Sequence, residues 1–115
     1  MGADDGRYSR ELIVDALRRW HSAKCDQLIK AGIGASYLDS PRVDDRATVG
    51  DRSARIDLDS ELVIGRATVW NRGFCDLELL AVHTGEQILY RHHESVSGIR
   101  LWALLDELAD QMASP

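Results

Sequence analysis

The sequence predicts an α+β fold. An antiparallel meander of four to five strands carries an N-terminal and a C-terminal helix on one face, as two layers. Three observations predict it. Four short runs alternate apolar and polar residues at the period of a strand. Turns marked by Gly73, in Asn71-Arg72-Gly73, and by Gly85, in His83-Thr84-Gly85-Glu86, separate the last three runs. Amphipathic stretches of helical period occupy both ends of the chain.

Each element follows in order. Residues 1–8 are expected to fray. Ser9 is the expected N-cap of a first helix running to about Ala31, with Ile13, Leu17, Trp20, Leu28 and Ile29 near the helical period. Gly32 supplies its stop. The pattern weakens from His21 to Asp26, which allows a bend or a split helix. Ile33 to Leu38 forms a short first strand with Ile33, Ala35 and Tyr37 on one side, and Asp39 to Arg52 reads as a loop. In the run Ser53–Asp59, Ala54, Ile56 and Leu58 point one way and Arg55, Asp57 and Asp59 the other. From Gly65 to Trp70, Ala67 and Val69 oppose Arg66, Thr68 and Trp70. From Phe74 to Ala81, the set Cys75, Leu77, Leu79, Ala81 is wholly apolar and belongs to the core. From Gln87 to Glu94, Ile88, Tyr90 and His92 oppose Gln87, Leu89, Arg91 and His93. Ser97 opens the last helix, whose stripe is Leu101, Leu104, Leu105, Leu108 and Met112. Such alternation suits a sheet with one buried and one open face.

A chain of 115 residues is expected to form one domain spanning residues 1–115. Its 44% hydrophobic and 29% charged residues are those of an ordinary globular protein. A net charge of −5 argues against nucleic acid, because phosphate binding needs a basic surface. The two cysteines, Cys25 and Cys75, suggest neither a disulfide framework nor a zinc site. No apolar run approaches the ~20 residues of a membrane span, and the N-terminus lacks signal-peptide regions. A bacterial-type cytoplasm is the expected location.

No stretch carries a catalytic signature. His92 and His93 are neighbours, so on a strand their rings point to opposite faces and one metal cannot easily take both. Asp76 and Glu78 share a strand face roughly 7 Å apart, but an exposed sheet is a poor place to perturb a carboxyl. Ala31-Gly32-Ile33-Gly34 is too short for a phosphate loop. No enzyme activity, cofactor or metal is expected.

The expected open face gathers Arg55, Asp57, Asp59, Arg66, Thr68, Trp70, Asp76, Glu78, Leu80, Leu89, Arg91 and His93. Trp and Arg are favoured interface anchors. Trp70 is such an anchor, a ring half covered by the N-terminal segment or the Asp39–Arg52 loop, or a partner in cross-strand packing. The acidic trio Asp57, Asp76 and Glu78 suits a basic concavity on a partner and gives fast, salt-sensitive association. Arg66, Trp70, Asp76, Glu78, Arg91 and His93 are the candidate partner-binding residues.

The run Ile64-Gly65-Arg66-Ala67-Thr68-Val69-Trp70, then Gly73, Cys75-Asp76-Leu77-Glu78, Thr84-Gly85-Glu86 and Tyr90-Arg91-His92-His93-Glu94 resembles the TriTu family of bacterial immunity proteins. The likeness covers about residues 53–95, with weaker agreement in the flanking helices. It implies an antitoxin of a polymorphic toxin system that binds and neutralises a cognate toxin domain one to one, by occluding its active site. It also implies that the toxin is an ADP-ribosyltransferase acting on elongation factor Tu. The chain itself would be a monomer or weak dimer. The alternative is a small acidic secretion chaperone or protein-binding adaptor, which would dimerise and hold an unfolded segment.

Overall fold

The computed structural model describes residues 11–39 and 52–113. Helix α1 spans Ile13–Lys30. Five strands follow: β1 (Gly34–Asp39), β2 (Ser53–Asp59), β3 (Val63–Trp70), β4 (Phe74–Ala81) and β5 (Gln87–His93). Helix α2 (Gly98–Ala113) closes the described chain. The strands form one antiparallel sheet in the order β1-β2-β3-β4-β5, the expected meander. The expected N-cap Ser9, residues 1–8 and most of the 39–52 loop lie outside the described residues.

Helix α1 starts at Ile13 rather than at Ser9, and Leu12 at its N-cap is extended, with no side-chain cap of its own. The cap comes from far away in sequence. The Val14 amide donates to Asn71 Oδ1 at 3.1 Å, so the β3–β4 turn satisfies one of the helix's four orphan N–H groups. No bend appears near His21; α1 is continuous. At its other end Gly32 has φ +81°. The Ile33 amide reaches back to the Leu28 carbonyl and that of Gly32 to Ile29, each at 2.9 Å. This is a Schellman stop, with Ile33 buried beneath it. Gly73 and Gly85 also take positive φ, which the expected turns require.

Both helices lie on one side of the sheet. Ala54, Ile56 and Leu58 of β2, Ala67 and Val69 of β3, and Cys75, Leu77 and Leu79 of β4 are buried there. They pack with Leu17 and Trp20 of α1 and with Leu101, Leu105, Leu108 and Met112 of α2. Every buried residue of this core is apolar. Burial pushes the Cys75 thiol up to about 12, so it is a protonated packing group. Gly65 completes the inner side of β3; a Cβ there would sit 2.9 Å from Met112 Sδ, so the missing side chain lets the end of α2 settle on the sheet.

The two helices hold each other through their tryptophans. Trp20 Nε1 of α1 donates to Asp106 Oδ1 of α2 at 2.9 Å. Trp102 Nε1 of α2 donates to the Ala16 carbonyl of α1 at 3.1 Å. Each buried or half-buried indole thereby satisfies its one polar atom. Arg19 caps the arrangement, with its guanidinium 4.6 Å from the Trp102 ring centroid and bonded to Glu11. Among the described residues, no helix is long and apolar enough to cross a membrane.

Asn71 is buried around its Nδ2, which has no partner among the described residues. Its acceptor therefore carries the structural role. Asn71→Ala should lower stability by about 1 kcal/mol through loss of the cap. Asn71→Asp keeps the acceptor, adds a carboxylate at a helix N-terminus and removes the orphan donor. Urea unfolding midpoints should place Asn71→Asp at or above wild type and Asn71→Ala below both.

Candidate functional site

Among the described residues nothing covers the side of the sheet away from the helices, and its residues fall into cross-strand rows. One row runs Leu38, Arg55, Thr68, Asp76, His92 from β1 to β5. The next runs Ser36, Asp57, Arg66, Glu78, Tyr90. Trp70 faces Phe74 at one end of the face, and Ile64 faces Leu80 at the other. The structure thus brings Arg66, Trp70, Asp76 and Glu78 together on one surface.

Arg91 and His93 are not on that surface, and neither is Leu89. Leu89 pairs with Leu79, Arg91 with Leu77 and His93 with Cys75, all inward-facing residues of β4. Tyr90 and His92 take the outer positions instead, opposite Glu78 and Asp76. The reason is a register shift. Leu80 pairs with Gln87, but the preceding Leu79 pairs with Leu89, so β5 carries one extra residue at Ile88. Counting forward from the Gly85 turn without that bulge assigns every later β5 side chain to the wrong face. Hydrophobicity offers no correction, because both faces of β5 mix apolar and basic residues.

The bulge and an earlier strand start also hid an aliphatic end of the face. β3 begins at Val63 rather than Gly65, which adds Ile64 to the outer side. Ile64 and Ile88 are 44% and 54% exposed. Leu62 and Val82, joined by a backbone hydrogen bond, are exposed beside them. Between Ile64, Arg66, Glu78 and Leu80 lies a shallow depression of about 150 Å³. The surface therefore has an aromatic end, a charged middle and an aliphatic end. Simple alternation from Arg66 back to Ile64 was the signal available for the last.

The charged middle is not bare carboxylate. Asp57 accepts from Arg66 Nε at 2.7 Å and from Arg55 Nε at 3.3 Å. That bond, the largest effect on Arg66, raises its affinity for its proton still further. His92 lies between two acids, with Nδ1 at 2.5 Å from Asp76 Oδ1 and Nε2 at 3.2 Å from Glu94 Oε2. The hydrogen bond to Asp76, then the one to Glu94, raises the imidazole above its ordinary range. The Phe74 ring lies 5.8 Å from the same imidazole. Among the described residues no group of three or more His, Cys, Asp or Glu is placed to hold a metal ion.

A raised imidazole stabilises the fold in its protonated form. That contribution is complete below about pH 6.5, the unfolded value, and is lost as pH rises through the folded value. His92 should accordingly titrate above the ordinary histidine range in an NMR titration, and Asp76→Asn should bring it down. The stability difference between wild type and Asp76→Asn should shrink as pH is taken from about 6 to above the wild-type midpoint.

A search of curated proteins finds no match. The family model described as immunity protein TriTu matches residues 15–111, from the first turn of α1 to the last turn of α2, and so takes in all five strands. A match over that span includes both the helix-covered side and the open surface, and the chain belongs to the TriTu family of immunity proteins.

Proposed function

We propose that this immunity protein neutralises a cognate toxin domain by seating its open sheet face over the toxin's active site, one to one, in the cytoplasm. The observation that carries this reading is the one-sided cover of the sheet. Both helices lie on the inner side, while Arg66, Trp70, Asp76 and Glu78 share the outer one. A continuous open face that carries a tryptophan and an arginine suits contact with another protein better than catalysis, which calls for a concave pocket. The chain acts by binding, without turnover.

The toxin is, on this proposal, an ADP-ribosyltransferase that modifies elongation factor Tu, the class that the family resemblance implies. Such an enzyme must hold an anionic cofactor with arginine or lysine groups. Asp76 and Glu78, adjacent on the outer side of β4, are placed to pair with such groups. Trp70 and the Ile64–Leu80 pair supply apolar contact on either side.

Co-expression with the toxin domain encoded beside this chain tests the proposal. Growth should be rescued, and the two proteins should co-purify at one to one. Asp76→Ala/Glu78→Ala should stay folded and raise the dissociation constant at least tenfold, which corresponds to about 1.4 kcal/mol. Trp70→Ala should cost about 2 kcal/mol of binding. Toxicity unrelieved at matched expression would remove the immunity reading for that pair. Unchanged affinity of a folded double variant would remove the carboxylates from the interface.

A further inference from the structure

We propose that the free edge of β5 pairs, as a sixth strand, with an extended segment of the toxin domain that carries a carboxylate opposite Arg91. This rests on the reading that the chain binds a toxin domain, and it adds a second contact beside the open face.

Among the described residues the sheet order ends at β5, so only the β4 side of its backbone has a neighbouring strand. An unpaired edge is a template for another strand, and proteins usually blunt it with proline, lysine, extreme shortness or an inward charge. β5 is seven residues long and has neither proline nor lysine. Beyond the bulge at its start, its guards are two features of Arg91. The side chain points to the helix side of the sheet, opposite Leu77, yet stays exposed. Its Nη1 also donates to the Tyr90 carbonyl at 3.1 Å, on the strand itself.

The helices cover this strand only in part: Leu89 is half-buried against the core, while Arg91 stays exposed. Beneath it lies a cleft of about 130 Å³ with Leu77, Leu89 and Leu108 in its floor and Arg91, His93 and Glu107 around it. A strand added about 4.8 Å beyond β5 would set its inward side chains over that cleft. Apolar residues there would cover Leu89, but one position would meet the Arg91 guanidinium. An apolar or cationic residue at that position would desolvate the Arg91 guanidinium without adding an acceptor, which disfavours such a segment.

Charge selects between occupants. Gln87–His93 contains Arg91, His92 and His93 and no carboxylate, in a chain of net charge −5. Antiparallel pairing with a second copy of β5 would bring two such basic strands together and put both Arg91 side chains on the same side. An acidic and apolar segment of a partner has no such conflict. Backbone hydrogen bonds would supply the affinity and the Arg91 position the selectivity, as in other strand additions.

The test is amide hydrogen exchange across Gln87–His93 in the free protein and in its complex with the toxin domain, together with the affinity of Arg91→Glu. Addition of a strand should slow alternate β5 amides at least tenfold in the complex. Arg91 is exposed, so Arg91→Glu should keep its unfolding midpoint and weaken binding at least tenfold. β5 amides that exchange equally fast in both states overturn the edge contact, and so does unchanged affinity of Arg91→Glu. If Asp76→Ala/Glu78→Ala still weakens the complex in that case, the open face stands and the edge alone is refuted. A toxin domain that forms no complex refutes both.

Discussion

The indoles of Trp20 and Trp102 each reach across to the opposite helix, and the rest of the molecule depends on that reciprocal clasp. Trp20 bonds Asp106 on α2, and Trp102 bonds the Ala16 carbonyl on α1. With the two helices fixed to each other, they act as one slab on one side of the sheet. Small residues at Ala54, Gly65 and Ala67 let that slab come close, and Leu101, Leu105, Leu108 and Met112 fill the space between. Among the described residues nothing apolar of comparable extent is left to cover the other side. The open face is therefore a consequence of how the core is closed, as much as a feature in its own right.

The fold was legible because its determinants are local and periodic. Wholly apolar sets such as Cys75, Leu77 and Leu79 admit one orientation only, and the leucine stripe of α2 admits one buried side. The parts that were not legible depend on tertiary partners. Asn71 caps α1 across a sequence separation of 57 residues, so no reading of the helix's own N-terminus would find it. The bulge at Ile88 adds one residue to an otherwise simple hairpin and reverses the faces of Leu89, Arg91 and His93. A strand with apolar and basic residues on both sides offers no pattern that would expose such an error. Four of the six residues expected at the partner surface lie together because β3 and β4 are central strands with unambiguous inner faces. The two that separate from them both belong to the edge strand.

The same contrast explains why the surface chemistry sits where it does. Central strands must keep their inner sides apolar, so their outer sides are free to carry Arg66, Asp76 and Glu78 without loss of core packing. The edge strand gains less from helix cover, and so it tolerates Arg91 on its inner side. Gln87–His93 thus combines weak structural demand with concentrated charge, a combination that suits a segment selected by a partner.

The ion pairs of the outer face bear on how such a surface can work. Arg55, Asp57 and Arg66, like Asp76, His92 and Glu94, are partly or largely exposed, and water screens pairs of this kind so that they add little to stability. Breaking one to accept a partner's charge therefore costs the free protein little. In the complex proposed above the same carboxylates would be desolvated, and a partner that failed to supply a matching cation would leave them unpaired at far greater cost. Weak pairing in the free state and strict pairing in the bound state are two outcomes of one placement: charges on the side of the sheet that the core does not use. That side contributes little to the fold, so substitutions there leave the helix-covered core as it is.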